Sequence, residues 1–385
     1  MSNCSTADAG SLESLRQDDY ELLARLAQRY YIDEQTQEQV AREFGLSRQK
    51  AQRLLKRARQ TGVVAIHIEA PTWLRLDLEG ELRETFGLKE AVVSVAQAGP
   101  RADREAVAQR AARYLERHLG EGSVVAVGHG RTAGAIARFF RPVERLGATF
   151  VSAMGGSPGA DAPTNPNEIC RALAQRCGGW AESLYAPAYV EDAEVRSQLL
   201  AQTAVGRTLA VAAGADMALV GIGGVDDDCT MVRSGCLSRE EVAWLRSQGA
   251  VGDVLGHYVD VEGRPLASPH QQRLVALPVE HLRRVGTVVA VASEPEKPAA
   301  ILGILRSGVV DVLVVDETNA RAVLRTAGPR PRVAIAAGRP AAADRAQGPA
   351  HRGPYQPRPE GTVATAPRTR RGTPPGPPQE VRTCP

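Results

Sequence analysis

Aromatic side chains make up only 4% of the 385 residues, and no run of about 18 apolar residues escapes interruption by charge. A membrane-spanning helix is therefore not expected. The N-terminal stretch MSNCSTADAGSLESLRQDD lacks the basic start and apolar run of a secretory signal, so a cytoplasmic protein is the expectation. Six cysteines (Cys4, Cys170, Cys177, Cys229, Cys236 and Cys384) lack the spacing of a metal knuckle and read as reduced thiols. No Ser-His-Asp order, no paired glutamates and no metal-spaced histidines stand out, so neither a catalytic set nor a bound metal is expected.

Excess charge is also scarce. The chain carries a net +3, but residues 328–385 hold ten Arg against three acids (Asp344, Glu360, Glu380), leaving −4 for residues 1–327. The basic balance belongs to the tail and does not by itself argue for nucleic-acid binding. That tail also holds thirteen of the 25 prolines, in strings such as GTPPGPPQE. Only PRVAIAAG, 331–338, reads as a further strand, and residues 339–385 are expected to be disordered for want of apolar surface.

What is present divides by pattern. Residues 1–14 are small and polar, and 15–70 have helical periodicity rich in Arg and Gln. A linking helix is expected within 71–89, where Leu74, Leu78, Leu82 and Phe86 recur every four residues. From about 90 to 325 short Val- and Ala-rich runs alternate with helical stretches, and the order fails after Thr326. Strands are expected at 91–96, 123–127, 149–153, 217–221, 287–292 and 311–315. Helices are expected at 104–118, 132–140, 167–176, 192–201, 238–248, 298–306 and 317–325. Such alternation predicts an α/β domain built on an open sheet, with strands buried on both faces.

The sharpest local pattern is YYIDEQTQEQVAREFGLSRQKAQRLLKRARQTGVV. Thr36 with Gln39 has capping-box spacing, Gly45 permits a tight turn, and Ser47 can cap a second helix. In that helix Ala51, Leu54, Leu55 and Ala58 form a buried stripe, while Arg48, Gln49, Lys50, Gln52, Arg53 and Lys56 project away from it. A helix-turn-helix needs that arrangement: Gln and Arg can read adenine and guanine edges in double-stranded DNA, and Arg and Lys can hold phosphates. Val63 to Ile68 could add a short wing. The competing reading is an ordinary helical pair with a solvated charged face.

Several strand ends carry glycine. In VVAVGHGRTAGAIARFF, Gly128, His129, Gly130, Arg131 and Thr132 form a loop able to cradle an anion; a ribose-binding acid at dinucleotide spacing is missing. Gly155 and Gly156 follow one strand, and Gly221 and Gly223 another. Asp253 suits sugar hydroxyls, and Lys297 at the opening of a helix suits phosphate. Asp226, Asp227 and Asp228 lack the remaining positions of a calcium loop. Asp260 and Gly263 read as a turn.

Taken together, YYIDEQTQEQVAREFGLSRQKAQRLLKRARQTG, VGHGRT, NPNEICRALAQRCGGWAESLYAPAYV, DMALVGIG, SGCLSREEVAWLRSQGAVGDVLGHYVDVEGRPL and KPAAILGILRSGVVDVLVVDETNARAVL resemble the SorC family of sugar-binding transcriptional regulators, grouped with DeoR-like repressors. The resemblance covers roughly residues 19–326. It implies a helix-turn-helix DNA-binding domain over 15–70 and a Rossmann-like, phosphosugar-isomerase-type effector domain over 90–338. It further implies allosteric control by a phosphorylated sugar or polyol, and a homotetramer or homodimer on an operator. The effector positions it implies are Gly128, Gly130, Arg131, Thr132, Gly155, Gly156, Gly221, Gly223, Asp253, Arg273 and Lys297. The sequence SEPE, 293–296, departs from a small glycine-containing turn common in the family. A phosphosugar isomerase carrying a DNA-binding head is the alternative, against which stands the lack of an acid–base pair.

Overall fold

The computed structural model describes residues 17–64, 74–157 and 162–328. The chain divides into two compact units, Met1–Leu76 and Asp77–Pro385. The expected strand at 331–338, the tail, residues 1–14 and most of the expected wing lie outside the described residues.

The first unit is helical: α1 (Gln17–Ala27), a π-helical turn (Gln28–Ile32), α2 (Gln37–Glu43) and α3 (Arg48–Gln60). Thr36 and Gln39 form the expected capping box, with the Gln39 amide donating to Thr36 Oγ1 at 3.3 Å and the Thr36 amide to Gln39 Oε1 at 2.8 Å. Gly45 makes the turn at φ +64, and Ser47 Oγ accepts from the Lys50 amide at 3.2 Å. Leu23, Leu26, Ala27, Val40, Leu55 and Ala58 fill the small core. Arg29 ties the π turn to α2 through Asp33 (2.7 Å) and Glu43 (2.9 Å).

The second unit runs α4 (Leu76–Phe86), β1 (Glu90–Ser94), α5 (Pro100–His118), β2 (Val124–Val127), α6 (Arg131–Ile136), β3 (Thr149–Ser152), α7 (Pro166–Cys177), β4 (Trp180–Glu182), α8 (Ala193–Ala201), α9 (Thr203–Ala213) and β5 (Met217–Gly221). It continues with α10 (Thr230–Arg233), α11 (Arg239–Ser247), β6 (Gly252–Val254), β7 (His257–Val259), α12 (Val279–Leu282), β8 (Thr287–Ala292), α13 (Pro298–Arg306), β9 (Val312–Asp316) and α14 (Glu317–Ala327). Seven strands pair in parallel in the order β1-β9-β8-β5-β2-β3-β4, and β6 and β7 form a separate antiparallel hairpin. All six expected strands are in the sheet, within two residues of their expected ends.

Alternation along each strand feeds two cores. Ala126, Ala218, Val220, Ala290 and Leu313 join one, and Val125, Val127, Leu219, Val289 and Val314 the other. Helices α5, α6 and α7 cover the second face, while α4, α11, α13 and α14 cover the first. Leu78 and Leu82 of α4 are buried in the sheet's own core and Phe86 packs against it, so three of the four apolar residues of the stripe are occupied within the chain.

The hairpin and β4 were not expected. The β6–β7 turn places Leu255 at φ +54 and Gly256 at φ +80, a geometry ordinarily signalled by Asn-Gly. β4 is a three-residue edge strand, WAE, without a β-branched run. The expected helix over 132–140 ends at Ile136 and continues as turns.

Phe150 of β3 is fully buried and meets Phe140 edge-on, with ring centroids 6.2 Å apart. Phe150→Ala is expected to cost about 3–5 kcal/mol, whereas Tyr185→Ala, 78% exposed, should stay within about 0.5 kcal/mol. Urea midpoints of the two variants check this.

Candidate effector cleft

Connections after β2 and β3 pass to the α6 and α7 face, and those after β5 and β8 pass to the α11 and α13 face. The chain therefore parts between the neighbouring strands β2 and β5, and a crevice opens at their carboxyl ends, the usual ligand position in such sheets. The crevice is lined by 129–132 after β2, 221–224 after β5 and 291–294 with Lys297 at the end of β8; Thr230, Met231, Asp253 and Leu255 close it.

Two close approaches build it. The Gly223 amide donates to the Asp253 carbonyl at 2.9 Å, and any Cβ at Gly223 would fall 1.8 Å from Asp253 Oδ1. A Cβ at Gly221 would meet the His129 carbonyl at 2.7 Å. Glycine at these points is a packing requirement that brings three loops within reach of one small molecule. Gly128 lies just beneath, its amide bonded to the Leu219 carbonyl at 2.8 Å.

The lining is polar and largely withdrawn from water. Asp253 is 2% exposed; Oδ2 accepts from the Gly256 amide at 2.8 Å, whereas Oδ1 has no partner. Burial pushes its carboxyl up to about 6, moderated by the Gly256 bond and the Lys297 charge. His129 is buried, and desolvation lowers its imidazole to about 4, so the ring is neutral at pH 7 with Nε2 unpartnered. Lys297 caps α13 and donates from Nζ to the Ile222 carbonyl at 2.8 Å. Burial lowers its ammonium, while Glu294, Asp253 and Asp226 act the other way. Arg131 sits 3.5 Å from Glu294, and its Nε has no partner; Ser293 Oγ is likewise buried and unpartnered. Four buried polar atoms left open around one crevice describe a site shaped for something that hydrogen bonds.

Of the expected effector positions, His129, Gly130, Arg131, Thr132, Gly221, Gly223, Asp253 and Lys297 come together here. Gly155, Gly156 and Arg273 do not line it. Gly155 and Gly156 bond to the Val275 and Ala186 carbonyls, at 2.9 and 2.8 Å. Arg273 is engaged by Glu241, which also caps α11, and by His270. Asp227 and Asp228 pair with Arg246 and Arg233, and among the described residues no group of three His, Cys, Asp or Glu could hold a metal. Asp260 and Gly263 do make a turn, with the Gly263 amide 3.0 Å from the Asp260 carbonyl. Sequence reasoning missed Ser293, Glu294, Thr230 and Met231. Glu294 carried one signal, its place in an unusual SEPE turn.

On the first unit, Arg48, Gln49, Lys50, Gln52, Arg53 and Lys56 are all exposed on α3, opposite buried Ala51, Leu55 and Ala58. Among the described residues, none of the four cations enters an ion pair. No helix of the described residues is long and apolar enough to cross a membrane.

Known proteins share this architecture. A family model described as "Putative sugar-binding domain" matches residues 71–325. The transcriptional regulator LsrR of Klebsiella pneumoniae is 34% identical, over 80% of this chain and 94% of its own. The erythritol catabolism regulatory protein EryD of Brucella abortus is 31% identical, over 80% and 97%. Among solved structures, the "Putative Sugar-Binding Domain of Transcriptional Repressor from Vibrio fischeri" superposes with a TM-score of 0.62 at 38% identity, covering 66% of this chain and all of that one. The full-length sorbitol operon regulator SorC of Klebsiella pneumoniae gives 0.62 at 27%, covering 80% and all. The family model over 71–325 and the match to such relatives over 80% of its length make this chain a member of the SorC/DeoR family of sugar-binding transcriptional regulators.

Proposed function

We propose that the chain regulates carbohydrate or polyol genes by binding operator DNA through a helix-turn-helix, α2–turn–α3, under the control of a phosphorylated sugar or polyol held in the cleft. The observation that carries this is the gathering of Arg131 and Lys297 with the open atoms Asp253 Oδ1, His129 Nε2 and Ser293 Oγ at one switch point. The Coulomb attraction between a phosphate charge and a partly buried cation is about 4 kcal/mol at ~4 Å and an effective dielectric of about 20, against about 1 kcal/mol for the same pair in bulk water. Carboxylate, imidazole and hydroxyl suit sugar hydroxyls, and a Rossmann-like, phosphosugar-isomerase-type sheet supplies the crevice. The relatives named for erythritol catabolism and a sorbitol operon favour a polyol skeleton. Asp253 contacts a hydroxyl in this reading, since it would repel the phosphate. Binding, and not turnover, is the role assigned to His129 and Asp253.

The DNA-reading face is the exposed row Arg48, Gln49, Lys50, Gln52, Arg53 and Lys56. A homodimer or homotetramer fits this reading, because one short helix reads few base pairs and two-fold pairing matches two half-sites.

The deciding experiment pairs operator selection from a random duplex pool with a calorimetric screen of sugar and polyol phosphates and their unphosphorylated parents. Gln49→Ala and Arg53→Ala should each lose about 1–3 kcal/mol of discrimination between operator and random duplex. Arg131→Ala and Lys297→Met should weaken the phosphorylated ligand and leave DNA selectivity intact. Equal binding to all duplexes would refute the helix-turn-helix assignment. Parents that bind as well as their phosphates, untouched by either cleft variant, would refute the effector assignment.

Asp253 has a separate consequence for stability. Its folded carboxyl titrates near 6, above its ordinary 3.8, so between those values the folded state binds more protons than the unfolded one. Below about pH 4 the carboxyl is protonated in both states and costs nothing, and stability falls as pH rises from there through 6, reaching a penalty of about 3 kcal/mol at pH 7. Asp253→Asn keeps an acceptor for the Gly256 amide and removes the charge. The variant should be more stable than the wild-type chain at pH 7.5, match it near pH 4, and bind its ligand less tightly. Thermal melts across pH 4–8 read this directly; a variant no more stable at pH 7.5 would show that the carboxylate is not isolated from water.

A further inference from the structure

Glu294 is the one ionisable residue of the cleft that the sequence did not single out, and three features mark it. Its backbone sits at φ +96, a region that side chains rarely adopt. Its carboxylate is buried, with the side chain 8% exposed, yet it lines the cleft. It holds two guanidiniums at once: Arg104 Nε at 2.9 Å and Arg131 at 3.5 Å. Its carbonyl is anchored by Asn319 Nδ2 at 3.0 Å, and Asn319 is fixed in turn by Asp316. The strained conformation is thus held from outside the turn.

Arg104 alone would satisfy a structural ion pair. The longer contact to Arg131 leaves that guanidinium half-engaged, with Nε free of partners, as is the Ser293 hydroxyl that lines the same cleft. The charged side chains lining the cleft are two cations, Arg131 and Lys297, and two carboxylates, Glu294 and Asp253, with Asp226 acting on Lys297 from the loop after β5 and Arg104 on Glu294 from α5. A dianion entering that balanced set gains little unless one carboxylate leaves. Asp253 is locked by the β6–β7 turn through the Gly256 amide. Glu294 is on a side chain with three rotatable bonds and has a second partner, Arg104, to which it can withdraw.

We propose that Glu294 is a built-in counter-anion: in the free protein its carboxylate occupies the place on Arg131 that the effector's phosphate takes, and the effector binds by displacing it. This rests on the phosphate reading of the cleft and adds what sets its affinity. Displacement frees the Glu294 side chain from Arg131, and because the Glu294 carbonyl is held by Asn319, ligand binding is coupled to the contact of the 293–297 turn with α14. Glu294 thereby tunes the threshold for the effector and confines occupancy to ligands bearing an anionic group strong enough to compete.

The test uses the full-length chain, with inorganic phosphate as the probe, by calorimetry at constant ionic strength. Glu294→Gly suits the backbone and removes the competitor; Glu294→Gln keeps the shape and removes only the charge, and guards against a folding defect in the first. Both should bind phosphate at least tenfold more tightly than the wild-type chain, and adding Arg131→Ala to Glu294→Gln should abolish the gain. Equal affinity in all three proteins, or weaker binding by the variants, overturns the counter-anion role while leaving the phosphate site standing. No phosphate binding by any of them overturns the phosphate reading, and this proposal with it.

Discussion

The second unit is organised around the removal of charge from water at the ends of three adjacent parallel strands. Gly223 against Asp253 and Gly221 against His129 pull the loops so close that a carboxylate, an imidazole and an ammonium are shielded from solvent. Each must then be neutralised, hydrogen bonded or left open. Lys297 is tied to the Ile222 carbonyl and Glu294 to Arg104, while Asp253 Oδ1, His129 Nε2, Arg131 Nε and Ser293 Oγ stay open. The protein itself supplies no partner to these atoms, so a ligand whose groups pair with them gains hydrogen bonds on binding and stabilises the folded chain. This is why a crevice of this kind suits a sensor.

The same tension separates the roles of the basic residues. Arg273 has its charge absorbed by Glu241 and braces α11, although its residue type matched the expected site. Arg131 is only partly absorbed and faces the crevice. On the helical unit, the α3 cations meet no acids among the described residues, which leaves their charge available to phosphates. Regulation then requires that the ligand favour one state of the protein over another, since equal affinity for both would shift nothing. On the proposal that the effector displaces Glu294 from Arg131, the 293–297 turn is the local element whose balance the ligand would shift.

How much of this was readable in the residues varies with the range of the interaction. The Thr36–Gln39 box and the Ser47 cap are local, and both are present where their spacing placed them. The runs VVAV, TVVAVA and DVLVV marked strands because only a doubly covered sheet accommodates them. α9 was hidden because TAVGRTLAVAA mixes a glycine and β-branched residues into a helix that packs well. The β6–β7 hairpin was hidden because Leu-Gly does the work of Asn-Gly. Gly155 and Gly156 share the composition of the cleft glycines and serve a strand junction instead; which loops meet depends on strand order, and strand order is not local. Glu294 shows the limit most clearly, since its importance lies in two arginines 190 and 163 positions away in sequence.

The most direct measurement of the central claim is amide hydrogen exchange with and without the tightest-binding sugar or polyol phosphate. If the three strand ends form one effector site, protection should rise together in 128–132, 221–224, 253–256 and 292–297, and should not extend to 154–157 or 270–273 as a separate patch. Protection centred on 154–157 and 270–273, with the four cleft segments unchanged, would contradict the account.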